Sequence, residues 1–212
     1  MRLVRTFNRR VHFDERSRGY GVRALVGDKP PRSYTWSCLA WLDQGAEGAC
    51  TGFSMAHGIA ARPLPKRVTT DLAQALYHRA RQLDEWPGDD YEGSSVLGAV
   101  KAAKEAGHVK EYRWAFGVED LKLTLGYVGP AVLGINWYEG MQDPDARGVI
   151  RVSGEIAGGH AILCNGFNVK TGMFRLHNSW GRDWSVGGEC FISEADMARL
   201  LKEDGEACIV RK

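Results

Sequence analysis

The chain has 212 residues, 44% hydrophobic and 25% charged, with 28 Lys/Arg against 26 Asp/Glu. That composition can bury a core large enough to fold unaided and argues against disorder. No apolar run approaches the roughly 18 residues of a membrane span, so no membrane partner is expected.

Residues 1–35 read as an irregular basic arm broken at Lys29-Pro30-Pro31. Residues 1–40 hold nine Lys/Arg against three Asp/Glu, and the rest of the chain is slightly acidic. The start, Met1-Arg2-Leu3-Val4-Arg5, lacks the apolar stretch of an export signal, and a cytoplasmic location is expected. The arm carries Phe13, Tyr20, Tyr34 and Trp36, which favour burial, so it is expected to fold back on its own acidic body. It lacks an aromatic-basic sheet motif, and nucleic acid is not an expected partner.

Cys50 to about Arg62 reads as a short helix, followed by the loop Pro63-Leu64-Pro65. Thr70 or Asp71 caps a second helix, with Leu72, Leu76, Ala80 and Leu83 at helical spacing. A polar loop, Pro87 to Gly93, leads to a third helix from Ser94 to Ala106 that stops at Gly107. Val118 to Tyr127 reads as a fourth.

After Gly129-Pro130 the pattern changes. Residues 131–137, 148–152, 160–167, 172–178 and 188–192 read as strands between Gly-rich turns. Ser193 with Asp196 resembles a capping box for a helix to Lys202, and Glu206 to Val210 reads as a last strand. The chain is therefore expected to be α+β, in two lobes: an arm over 1–35, a mainly helical lobe over 36–112 and a mainly antiparallel β lobe over 113–212.

Three segments carry candidate chemistry. In Gln44-Gly45-Ala46-Glu47-Gly48-Ala49-Cys50, a cysteine opens a helix. The N–H groups and dipole at that end favour a thiolate, and Gln44 can reach back as a donor. In Gly158-Gly159-His160, a histidine follows two glycines at the start of an apolar strand. In Asn178-Ser179-Trp180-Gly181, an asparagine ends the next strand, where antiparallel pairing can bring its amide oxygen to His160. Trp180 can shield that bond from water. The five cysteines, Cys38, Cys50, Cys164, Cys190 and Cys208, include no CxxC pair, which argues against a zinc site or disulfide framework and for reduced thiols. No metal or cofactor is expected. His57 and Cys164 are expected to be structural, and Trp36, Trp41 and Trp137 to be core.

Taken together, these segments resemble the papain-like cysteine peptidases. Gln44-Gly45, Gly48-Ala49-Cys50 and Phe53 match the nucleophile segment, Gly159-His160-Ala161 the histidine segment, and Asn178-Ser179-Trp180-Gly181, with Trp184, the asparagine motif. Gly129-Pro130-Ala131-Val132 resembles the strand that precedes the histidine. The resemblance covers about residues 36 to 210 and points to bacterial or phage forms without a long propeptide. It implies a two-lobe papain-like fold with the site in the cleft. It also implies that Cys50 is the nucleophile, His160 the base and Asn178 its orienting group, with Gln44 and the Cys50 N–H forming the oxyanion hole. Gly93, Ser94, Gly158, Gly159 and Trp180 would line an extended peptide. The implied partner is a peptide or protein substrate, with a monomer as the default.

Some features depart from the family pattern. Glu47 stands where the family usually has a disulfide cysteine, and Thr51 where it usually has an aromatic residue. His160 and Asn178 follow Cys50 by 110 and 128 residues, less than the roughly 130–150 expected of papains. No propeptide of family length is expected ahead of the domain, only the basic arm. Asp84, Glu85, Asp89, Asp90 and Glu92 lie next to Gly93, so the arm is expected to rest on them and partly cover the cleft. Those acids could instead favour basic side chains in a substrate, and Glu206 is a further candidate for a pocket acid. Two other functions remain open: a thiol amidase or acyltransferase acting on cell-wall peptide or a ubiquitin-like tail, and a silent papain-fold binding protein.

Overall fold

Capping and periodicity set the helices. The computed structural model describes residues 6–63, 65–84, 86 and 91–211. The expectations at Met1 to Arg5, Leu64, Glu85 and 87–90 lie outside the described residues. A 3-10 turn (Glu15–Tyr20) and the single-turn α1 (Arg23–Val26) precede the two-residue β1 (Tyr34–Thr35). Then come α2 (Cys50–Ala60), α3 (Thr70–Leu83) and α4 (Val96–Glu105). Thr69 caps α3 by accepting the Leu72 N–H at 3.2 Å, and Ser95 caps α4 by accepting the Gly98 N–H at 2.9 Å. α3 buries Ala73, Leu76, Tyr77 and Ala80, one apolar stripe. Every residue of α2 is buried, so it is the central helix of its lobe.

The sheet follows: β2 (Glu111–Trp114), α5 (Val118–Tyr127), β3 (Ala131–Tyr138), β4 (Ile156–Asn168), β5 (Met173–His177), β6 (Glu189–Ser193), α6 (Glu194–Lys202) and β7 (Glu206–Arg211). The strand order is β2-β7-β3-β4-β5-β6, with β1 paired to β4 and all pairs antiparallel. Alternate residues of β3 and β4 face two cores. Val132, Ala161 and Leu163 pack with α2, α3 and α4; Ala131, Leu133, Ile135, Ile162 and Cys164 pack with α5, α6 and the far strands. Burial on both faces explains why these strands read as continuous apolar runs. Among the described residues, no helix is long and apolar enough to cross a membrane.

The structure corrects several expectations. Residues 148–152 form no strand, only an isolated bridge from Val149 to Phe191. Asp145 Oδ1 captures the N–H groups of Arg147 and Val149 at 2.9 and 3.0 Å, which bends the segment into a turn. β2 had no clear signal, because two of its four residues are charged; it is an edge strand that spans the expected boundary between 112 and 113. The arm does not bury Phe13, Tyr20 or Tyr34, which stay 45%, 51% and 41% exposed. Arg18, Arg113 and Arg32 sit over their rings instead. Trp137 is core, whereas Trp36 and Trp41 are only half-buried. All five cysteines are free and buried, and Cys190 and Cys208 sit on strands separated by β5, β4 and β3.

Candidate active site

Cys50 belongs to the helical core, and Trp137 and Trp180 to the sheet core, so the site lies on the seam between lobes. The cysteine is the first residue of α2, where backbone N–H groups have no helical acceptor. The backbones of Ala161, Asn8 and Thr51 lie close enough to the sulfur to favour its thiolate. The Ala161 contact sets it against the strand residue that follows His160.

His160 lies on β4 and is fully buried. Its Nε2 donates to Asn178 Oδ1 at 2.9 Å, as the antiparallel β4–β5 pairing predicts. An amide oxygen accepts but does not take the proton, so it fixes the tautomer that leaves Nδ1 able to accept one. Trp180 is tilted over the imidazole at 5.0 Å between centroids, and Trp137 meets it edge-on at 4.9 Å. Asn178 Oδ1 also accepts the Ser179 N–H at 2.8 Å.

Gln44 is buried beside the same turn. Its Oε1 accepts from Ser179 Oγ at 2.7 Å, and its backbone N–H donates to the Ser179 carbonyl at 2.9 Å. Nε2 donates to the Glu47 carbonyl at 2.9 Å, which uses one of its two hydrogens. Ser179 was missed in the sequence, although it sits inside the motif that pointed to Asn178.

The arm crosses this site. Arg9 N–H donates to the Gly159 carbonyl at 2.8 Å, Ser94 N–H to the Asn8 carbonyl at 3.2 Å, and Arg10 N–H to the Ser94 carbonyl at 2.8 Å. The arm thus spans both lobes. Ser94, rather than Gly93, makes the backbone pairing; Gly93 N–H donates to Tyr77 Oη at 3.0 Å. The three glycines give room instead: side chains at Gly93, Gly158 and Gly159 would collide with Asn8, Phe7 and Arg9 respectively. Phe7 meets His160 edge-on at 5.7 Å. Asn8 Nδ2 donates to Glu92 Oε2 at 2.9 Å, so one acid of the expected loop does hold the arm. Asp84 instead accepts from Ser94 Oγ and Ser95 Oγ, each at 2.7 Å, and braces the start of α4.

With the arm seated, burial pushes the Cys50 thiol above its ordinary value, against the lowering from its backbone contacts and Arg9. Burial thus opposes the ready ionisation expected of a thiol at a helix start. His57 is fully buried, its Nε2 accepting the Leu42 N–H at 3.0 Å.

No known protein-family profile matches the chain. An uncharacterized peptidase C1-like protein of Acanthamoeba polyphaga mimivirus is 21% identical over 196 residues, which cover 71% of this chain and 63% of that protein. Xylellain, a cysteine protease from Xylella fastidiosa, superposes with a TM-score of 0.74 at 17% identity, over 97% of this chain and 96% of that one. Procathepsin B from Trypanosoma congolense superposes at 0.64 and 17% identity, covering 97% and 83%. Digestive procathepsin L 3 of Tenebrio molitor gives 0.65 and 15%, covering 88% and 72%. The chain therefore has the two-lobe α+β fold of the papain-like cysteine proteases.

Proposed function

We propose that this chain is a cysteine peptidase acting on extended peptides. His160 Nδ1 takes the Cys50 proton, and the thiolate attacks the scissile carbonyl carbon. His160 then protonates the leaving amine, and water, activated by the same imidazole, hydrolyses the acyl-enzyme. Asn178 holds the imidazole in register. The Cys50 N–H and the second Gln44 Nε2 hydrogen stabilise the oxyanion, each donor contributing about 3 kcal/mol. Ser94 and Gly159 offer the backbone groups that would bind substrate, and the arm holds the cleft shut until it leaves.

The observation that carries this reading is the 2.9 Å His160–Asn178 bond under Trp180, beside a cysteine that opens a helix. The seated arm also favours a second reading, a silent scaffold. The test is peptide-library turnover by the reduced full-length Arg9→Ala chain, with Cys50→Ala in the same background. The expected result is turnover that Cys50→Ala abolishes, and first labelling of Cys50 by trace iodoacetamide near pH 6. Preferential labelling of another cysteine, or turnover that survives Cys50→Ala, would sink the reading. Intact cell wall cut in preference to peptides would point to the amidase alternative.

A further inference from the structure

His177 ends β5 one residue before Asn178 and is paired across the sheet with Glu189, the first residue of β6. Its ring is buried; Nε2 donates to the Ala40 carbonyl at 2.8 Å, and Nδ1 lies 3.5 Å from Glu189 Oε1. Ala40 belongs to the stretch that runs from Cys38 to Gln44. That stretch is tied to α2 by the Leu42 N–H, which donates to His57 Nε2 at 3.0 Å. It is tied to the Asn178 turn by the Leu42 carbonyl, which accepts the Gly181 N–H at 3.3 Å, and by the Gln44 N–H, which donates to the Ser179 carbonyl at 2.9 Å. His177 thus stands where the stretch that carries Gln44 meets the turn that carries Asn178.

Both nitrogens of this ring face acceptors. A neutral imidazole has one N–H and serves one of them; an imidazolium serves both. Glu189, also held by Asn165 Nδ2 at 3.0 Å and Arg175 Nε at 2.9 Å, supplies the counter-charge. Two other titratable groups pack against the ring. Cys38 touches it and turns its thiol to the Ala40 and His57 carbonyls at 3.4 and 3.5 Å. The His57 ring meets it edge-on at 4.6 Å between centroids. His57 accepts the Leu42 N–H and is held well below its ordinary value by burial and by His177, so it adds no second positive charge. Burial pulls His177 down, but Cys38 and Glu189 outweigh it and raise the imidazole to about 9. Above that pH a ring lone pair is set against a buried acceptor, which is costly.

We propose that His177 is a positioning residue of the site: as an imidazolium it clamps the stretch that carries Gln44 to the turn that carries Asn178, so that the oxyanion donor and the group orienting His160 keep their places only while it is charged. This rests on the peptidase reading and adds to it a group that touches neither substrate nor sulfur.

The first readout needs no turnover. Full-length chain carrying Arg9→Ala and labelled with 15N-histidine is followed by NMR across the neutral and alkaline range. The His160 Nε2 resonance should show a step with the same midpoint as the His177 ring, at about 9. Glu189→Gln removes the counter-charge and should move both midpoints down together by about one pH unit or more. His177→Gln, which keeps a donor for Ala40 without the charge, should abolish the His160 step. The second readout is Cys50-dependent peptide turnover by the same chains. There kcat should fall through the His177 midpoint and follow it in Glu189→Gln, with KM unchanged, and His177→Gln should lower kcat about tenfold or more. No His160 step in the parent chain, or a step that stays in place in Glu189→Gln or survives His177→Gln, would overturn the inference. Turnover without a coupled step would sink the clamp alone. A coupled step without Cys50-dependent turnover would sink the peptidase reading and leave the clamp standing.

Discussion

Next to Asn178, His177 is almost fully buried, with Nε2 donating to the Ala40 carbonyl at 2.8 Å and Nδ1 3.5 Å from Glu189 Oε1. Burial alone would push this imidazole down, but its contacts with Cys38 and Glu189 outweigh that and hold it at about 9. Burial likewise pushes Glu189 up, yet His177, Arg175 and Asn165 bring it to about 2. The raised histidine stabilises the fold fully below 6.5 and loses that contribution as pH rises through about 9. The lowered carboxylate contributes fully above 4.5 and loses it as pH falls through about 2. The pair is therefore at full strength between 4.5 and 6.5. Thermal unfolding against pH should show the wild type's advantage over Glu189→Gln to be greatest in that window and to shrink on both sides; a constant advantage would contradict the assignment. That Cys50 opens a helix and that Asn178 meets His160 was legible, because each sits in a short local motif. Arg9 was not: its partner Glu206 is 197 residues away, and nothing local separates it from the other arm arginines.

At the scale of elements, α2 is held by close approach to α3. Gly52 would, with a Cβ, press on the Ala73 carbonyl and come within 2.7 Å of Tyr77 N. In an exposed helix, Gly→Ala stabilises by about 1 kcal/mol. Here the backbone contact reverses the sign, and Gly52→Ala should destabilise by about 1–3 kcal/mol in urea unfolding. An unchanged or higher midpoint would show that α2 can shift freely. The helices and the doubly buried β3 and β4 were legible because caps and apolar runs are local signals. β2 was not, because an edge strand with Glu111 and Arg113 carries no periodic mark and is specified by its partner β7.

For the whole molecule, the arm is the part that joins the lobes across the cleft, and the basic–acidic imbalance of the sequence hinted at that. Its anchor is the buried Arg9 side chain. Full-length Arg9→Ala should raise the rate of Cys50 alkylation by about tenfold or more, read by mass spectrometry of the labelled thiol. An unchanged rate would mean that the remaining backbone bonds hold the arm without its anchor. A different kind of joint lies in the turn from Asn178 to Trp180. Asn178 takes the imidazole proton contact, while Ser179 grips Gln44 from two sides. In the proposed mechanism, proton shuttling and anion stabilisation would thus share one footing. On the proposed mechanism, a displacement of that turn would disable both functions together, and damage to either would not simply add to damage to the other.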